Sequence, residues 1–318
     1  MTPSDYDITQ AAHLLTQDKL VAFPTETVYG LGGNALSDKA VAAIYAAKGR
    51  PQFNPLIVHL PSAQDAARYA ELNPHAELLA QHFWPGPLTL VLRRKKDCPL
   101  SLLVSAGMDT VALRVPAHPL AQALLKKSGL PIAAPSANRS GRISPTEATH
   151  VREELEGSVA MILDGGACSV GIESTVIDLT GAQPIILRPG SITPEQIEKI
   201  LKTTVRFAAS DSAIAAPGML ASHYAPNTPV RLNATDVKDD EALLAFGASV
   251  PGGAVATENL SRDGNLQEAA ANLFRMLRLL DSRNARCIAV MPIPENALGI
   301  AINDRLKRAA TPPSDKAS

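Results

Sequence analysis

The fold class predicted is α/β, or α+β where helices and strands segregate: a twisted mixed sheet in a large domain, then a smaller α/β domain. Three observations predict it. Short apolar runs rich in Val, Ile and Leu alternate with Ala- and Leu-rich stretches of helical spacing over the first two-thirds of the chain. The alternation breaks over residues 206–228 and then resumes. The 318 residues also exceed the ~250–300 at which single cores stop growing.

The elements follow in order. Residues 8–19 have helical spacing, and 20–23 (Leu, Val, Ala, Phe) read as a buried strand. The glycines at 30, 32 and 33 read as a tight turn or a close backbone approach. Ser37 N-caps a helix to residue 47, with Asp38 placed for the dipole. A strand at 56–60 precedes two helices that reach residue 83. Further strands are expected at 88–92, 111–115, 132–134, 161–163, 175–179 and 185–187. Helices fit at 119–127, 145–155 and 194–202. After the break come strands at 229–232, 243–246, 254–256 and 285–291. Helices at 266–281 and 297–310 complete the second domain, and the polar tail from 311 frays.

Composition excludes several function classes. Hydrophobic residues at 46% and charged residues at 19% argue against disorder. Thirty basic and 31 acidic residues give a net charge of -1, which is not the balance of a protein that coats nucleic acid. Cys98, Cys168 and Cys287 are isolated, so they form neither a zinc motif nor a disulfide framework. No apolar run reaches the ~18–20 residues of a membrane span, and the first ten residues lack a secretory pattern. A soluble, cytoplasmic protein is expected.

Candidate chemistry is polar and cationic. Gly30-Leu31-Gly32-Gly33-Asn34-Ala35 formally matches a dinucleotide fingerprint, but it does not directly follow a strand and has no acidic residue about 20 positions on. Thr25, Glu26 and Thr27 sit just beyond the first strand, where α/β sheets bind ligands, or else form a capped turn. Lys48 and Arg50 flank Gly49 at a helix end, favourable for the dipole and equally a clamp for polyphosphate. His59 lies in an apolar strand, a setting more typical of a satisfied core histidine. Arg114 lies in another, and a buried arginine needs a carboxylate or phosphate from the protein or a ligand, so a ligand role weighs more here than for His59. Ser136 and Asn138 stand on a polar loop that continues to Ser144, and Glu173-Ser174-Thr175 enters a later strand. The run Arg93-Arg94-Lys95-Lys96 reads as a solvated loop. These residues describe a phosphate-compatible site without a covalent nucleophile.

Several segments occur together in this order: Phe23-Pro24-Thr25-Glu26-Thr27-Val28-Tyr29-Gly30-Leu31, Lys48-Gly49-Arg50-Pro51, Asn54-Pro55-Leu56, Trp84-Pro85-Gly86-Pro87-Leu88-Thr89, Ser136-Ala137-Asn138 and Glu173-Ser174-Thr175. They resemble the YrdC-like family in its threonylcarbamoyl-AMP synthase branch. Pro217-Gly218-Met219, Ser222-His223-Tyr224-Ala225-Pro226 and Asn303-Asp304-Arg305-Leu306 resemble the linker and C-terminal domain of the two-domain form.

The resemblance implies a YrdC-like catalytic domain over residues 1–205, a linker that acts as a lid over 206–228, and a Rossmann-like C-terminal domain over 229–318. It implies formation of threonylcarbamoyladenylate and pyrophosphate from L-threonine, bicarbonate or carbon dioxide, and ATP with Mg²⁺, by a nucleotidyltransferase. A tRNA threonylcarbamoyl transferase complex would consume the product for position 37 of tRNA, with at most a weak RNA contact here and no membrane. By the same resemblance Lys48 and Arg50 are catalytic. ATP binding would involve both, with Asn54, Thr110, Ser136, Asn138, Ser144, Arg188 and Tyr224. Thr25, His59, Arg114 and Ser174 would hold threonine. Two competing readings are a hydrogenase-maturation carbamoyltransferase, disfavoured by the missing zinc ligands, and a non-catalytic RNA binder, disfavoured by the neutral charge.

Overall fold

The structure, a computed structural model, describes residues 3–51, 54–209 and 223–311. Pro217, Gly218, Met219 and Ser222 of the linker motif, and the tail from residue 312, lie outside the described residues.

Ser4 and Asp7 form a capping box for α1 (Asp5–Thr16), which buries Ile8, Ala11, Ala12 and Leu15. β1 (Val21–Phe23) runs antiparallel to β2 (Gly30–Asn34), with Phe23 opposite Gly30. Of the two readings of these glycines, the tight turn does not hold, since they form a strand, but the close approach does. The cause is the Phe23 ring: a Cβ on Gly32 would stand 2.8 Å from it and 2.9 Å from Ile132. Glycine lets the ring lie against the strand, and the lost side chain hides the strand from a pattern reading.

Ser37 caps α2 (Asp38–Lys48) as expected, and Gly49 ends it in the left-handed region at φ 57°. β3 (Ile57–His59), a 3-10 turn at Gln64–Arg68, α3 (Pro74–Phe83), β4 (Leu88–Arg93), β5 (Thr110–Arg114), α4 (Pro119–Ser128) and β6 (Ile132–Ala133) follow. Next come α5 (Ala148–Leu155), β7 (Met161–Ile162), β8 (Thr175–Asp178), β9 (Ile185–Arg188), α6 (Pro194–Leu201) and β10 (Arg206–Phe207). α5 starts later than the predicted residue 145, because the Pro145 and Thr146 carbonyls accept from Tyr29 and Cys168 instead. β10 lies where the linker was expected to begin and pairs in parallel with β9.

These strands make one mixed sheet ordered β10-β9-β8-β4-β5-β3-β6-β2-β1-β7. Strand alternation sends Val58, Leu90, Leu113 and Ile177 to one face, where α2, α3, α5 and α6 pack. On the other face α1 and α4 cover Val21, Phe23, Ile132 and Ala134. They stop short of the central strands. There the same face carries Ile57 and Ala112, and also His59 and Arg114.

The second sheet is entirely parallel, as its βαβ alternation requires. It is built from β11 (Val230–Arg231), β12 (Glu241–Ala245), β13 (Ala256–Asn259) and β14 (Cys287–Val290), ordered β11-β14-β12-β13. α7 (Leu266–Asp281), capped by Asn265, and α8 (Leu298–Ala310) pack against it. Their apolar core also takes in Val28, Ile143, Ile172 and Tyr224, so the two parts share a continuous interior. Gly171 marks the tightest approach. Its φ is +75°, and a Cβ there would lie 2.4 Å from the Ala271 Cα and 2.6 Å from the Ala270 carbonyl oxygen.

Candidate active site

The uncovered centre of the sheet forms the floor of a partly open cavity of about 40 Å³, whose wall includes Arg50, His59, Arg114, Ser174, Arg188 and Tyr224. Its residues come from strand ends and the loops after them, where backbone groups are not used by neighbouring strands.

Arg114 is at the centre. It is buried, and its Nη2 donates to Glu26 at 2.6 Å, its Nη1 to Thr27 at 2.9 Å and its Nε to the Gly86 carbonyl at 3.2 Å. Of the two sources open for the partner of a buried arginine, the protein supplies one, the Glu26 carboxylate. Burial alone would raise the Glu26 pKa, but the Arg114 charge and hydrogen bond hold it below the usual carboxylate range. Two of the five guanidinium N–H groups have no partner among the described residues, which suits a second carboxylate.

His59 pairs with Arg114 across β3 and β5. Its ring stands edge-on to Phe23 at 6.0 Å, and its buried Nδ1 has no hydrogen-bond partner among the described residues. Burial, and then the Arg114 charge, pull its pKa down to about 3, so the ring is neutral. Thr25 lines the cavity too, but its hydroxyl is engaged in the turn, donating to the Val28 carbonyl at 2.6 Å. Ser174 contacts the Thr89 hydroxyl at 2.7 Å and accepts from Arg188 at 3.1 Å.

The cations predicted as a clamp point in different directions. Arg50 reaches the cavity, donating to the Asn54 and Pro55 carbonyls, and burial lowers its pKa to about 10. Lys48 turns away and donates to the Ser136 carbonyl at 2.6 Å and to that of Asn138. Without a carboxylate contact, burial and then Arg50 pull its pKa well below the ordinary lysine value. Lys48 thereby ties α2 to the Ser136 loop. Ser136 lines the cavity. Asn138 sits behind it, its amide donating to the Arg139 and Arg142 carbonyls. The Asn54 side chain is fully buried with neither amide atom partnered among the described residues.

Thr110 and Ser144 join Lys48, Asn54 and Asn138 as predicted residues that do not line the cavity. Thr110 is at the opposite end of β5 from Arg114, about 13 Å away at ~3.3 Å per residue. Ser144 is buried behind the wall, its hydroxyl donating to Glu173.

Glu173, Arg305 and His223 are site residues to which reasoning from sequence gave no role, and Glu26 and Thr27 stood there only as part of a ligand-binding segment or a capped turn. Arg305 of α8 is fully buried and donates to Glu173 at 3.0 Å and to the Pro189 carbonyl at 2.6 Å. Burial would raise the Glu173 pKa, but Arg305 and Arg188 hold it low and ionised. Tyr224 closes the cavity from the linker at φ 62°, stacked near His223 and Phe274, with the Arg305 guanidinium 5.5 Å from its ring. Burial raises its pKa to about 12, and its hydroxyl has no partner among the described residues. A signal for Arg305 exists: Leu298, Ala301, Ile302, Leu306 and Ala309 share its buried helix face, where a cation requires an anion.

Among the described residues there is no cluster of three or more His, Cys, Asp or Glu placed to hold a metal ion. Nor is any helix long and apolar enough to cross a membrane. The Arg93–Lys96 run is partly structural, since Arg94 donates to the Cys98 and Leu100 carbonyls.

Comparison with known proteins agrees over nearly the whole chain. The family model described as "Telomere recombination" (Sua5, YciO and YrdC) matches residues 13–190, and that described as "Threonylcarbamoyl-AMP synthase, C-terminal domain" matches 192–311. The chain is 42% identical to a threonylcarbamoyl-AMP synthase of Pyrococcus abyssi, covering 96% of this chain and 94% of the relative. It is 42% identical to that of Bacillus subtilis, covering 98% and 94%. It is also similar to the crystal structure of P. abyssi Sua5 complexed with L-threonine, at a TM-score of 0.89 and 40% identity over 98% of this chain and 96% of that one.

Proposed function

Because the chain belongs to the threonylcarbamoyl-AMP synthase family, we propose that the cavity at the centre of its main sheet marks where L-threonine, bicarbonate or carbon dioxide, and ATP are joined into threonylcarbamoyl-AMP with release of pyrophosphate. The observation that carries the site assignment is Arg114, with two N–H groups to spare beside the unpartnered Nδ1 of His59. That pair suits the carboxylate and amine of an amino acid, and the similar P. abyssi protein binds L-threonine.

The threonine amine attacks the carbon of carbon dioxide, loses a proton and becomes a carbamate. A carbamate oxygen then attacks the α-phosphorus of ATP and pyrophosphate leaves, a nucleotidyl transfer. Both nucleophiles come from substrates. The protein therefore aligns reactants, neutralises charge and excludes water. Arg50 and Arg188 take the phosphate charge, with Ser136, Asn54 and Tyr224 along the nucleotide and Thr25 and Ser174 beside threonine. Lys48, Asn138 and Ser144 support this wall from behind. Mg²⁺ would arrive on the triphosphate, because the nearby carboxylates, Glu26 and Glu173, are already committed to arginines.

The product would pass to a transferase complex that modifies position 37 of tRNA in the cytoplasm. The test is pyrophosphate release with threonine and bicarbonate omitted in turn, and the nucleotide product identified by mass. Release that requires both, with a threonylcarbamoyl adduct of AMP, is expected. Tight ATP binding without any release would instead favour a binding role.

A further inference from the structure

Resting on that reading, we propose that Arg278 and Asp281 in the last turn of α7 are positioning residues for ATP: from the second domain they hold the nucleotide side of the cavity in place without lining it. Phe274, Arg278 and Asp281 are spaced i, i+4 and i+7, so they share one face of the helix. Each holds a different part of the cavity's surround. The Phe274 ring lies 5.4 Å from that of Tyr224, which closes the cavity. Arg278 donates to the Ile143 carbonyl and to the Glu154 carboxylate, whose other oxygen accepts from the Arg139 N–H at 2.8 Å. Asp281 accepts from the Asn227 and Thr228 N–H groups at 3.0 and 2.8 Å, and from the Asn227 side-chain amide at 3.2 Å.

The two segments so held are also joined to each other. The Ala225 N–H donates to the Gly141 carbonyl at 2.9 Å, and Ala225 forms a parallel bridge with Arg142. Residues 139–143 follow Ser136 and Asn138 in the chain, and the Asn138 side-chain amide donates to the carbonyls of Arg139 and Arg142. A displacement of α7 therefore reaches the Ser136 wall through residues 139–143, and Tyr224 through residues 225–228. Two features show that this face is specified rather than incidental. A carboxylate in a last helical turn stands against the negative end of the dipole, so Asp281 is locally unfavourable and is offset by the three N–H groups it accepts. The Arg278–Glu154 pair is largely withdrawn from water, at 14% and 13% side-chain exposure, where losing either partner strands a charge.

The test is the kinetics of pyrophosphate release with ATP varied at saturating threonine and bicarbonate, then with threonine varied at saturating ATP. Arg278→Ala and Asp281→Ala are each expected to raise the KM for ATP about tenfold and to leave that for threonine within about twofold of wild type. Asp281→Asn retains an acceptor oxygen and is expected to recover part of the loss. KM does not depend on the fraction of protein that is folded. A purely structural role would therefore lower kcat and leave both KM values unchanged, which overturns the inference, as does an equal rise in both. Asp281 is half-buried at a helix end, so Asp281→Ala decides the question where Arg278→Ala does not fold. Wild-type protein with no threonine-dependent release would overturn the functional reading itself, a distinct result.

Discussion

Arg114 and Glu26 form an ion pair withdrawn from water, and removing one partner of such a pair strands the other charge. Glu26→Gln is therefore expected to lower stability by about 3–5 kcal/mol, measured as the urea midpoint with an unchanged slope. A loss below about 1 kcal/mol would mean that Arg114 does not depend on Glu26. Lys48 and Arg50 stand on either side of Gly49, and each donates to two backbone carbonyls. Lys48→Ala and Arg50→Ala are therefore each expected to lower stability by about 1–3 kcal/mol in the same experiment, and to lose adenylate formation, because buried acceptors are left without a donor. An unchanged urea midpoint in Lys48→Ala would refute the structural role given to Lys48.

At the scale of elements, the loop that presents Glu173 and Ser174 is seated on α7 of the second domain. Gly171 makes that seat possible, and Ile172 is buried in the second domain's core. Gly171→Ala must move either the loop or the helix, besides straining a φ of +75°. The expected result is a loss of at least ~2 kcal/mol in stability together with most of the activity, although residue 171 does not line the cavity. Wild-type kinetics in that variant would show that the cavity tolerates a shifted second domain. β2 makes the same point: Gly30 and Gly32 serve the Phe23 ring, which lies against both the strand and His59.

The whole molecule carries an acid sensitivity that can be worked out from buried histidines. Burial lowers the pKa of His59 to about 3 and of His150 to about 4, and pulls His223 well below its ordinary 6.5. The unfolded chain takes up these protons near pH 6.5 while the folded one does not. Stability is thus full above pH 6.5 and falls with pH, by up to about 1.4 kcal/mol per pH unit for each histidine. Glu26 and Glu173 are depressed instead, so their contribution is complete above about pH 4.5 and is lost only below it. The urea midpoint should therefore decline between pH 7 and pH 5, ahead of the loss of the Glu26 and Glu173 contributions. A flat midpoint over that interval would place these rings in contact with water.

Element types and their order were legible in the residues because helical and strand periodicities are local properties. Ser37 as a cap and the helix over 266–281 are examples. The motifs that carry the family resemblance were legible for the same reason. β2 was not, since a strand made of glycines has no side-chain pattern to read. What only the tertiary structure decided are pairings over long separations. Glu26 finds Arg114 88 positions away, and Glu173 finds Arg305 across 132. The same holds for orientation: Lys48 turns behind the wall while Arg50, two residues on, faces the cavity. Thr110 and Arg114 share a strand yet stand at its two ends. A sequence states which charges must be paired, because burying them alone costs too much. Which partner pays that cost is settled only when distant segments are packed against each other.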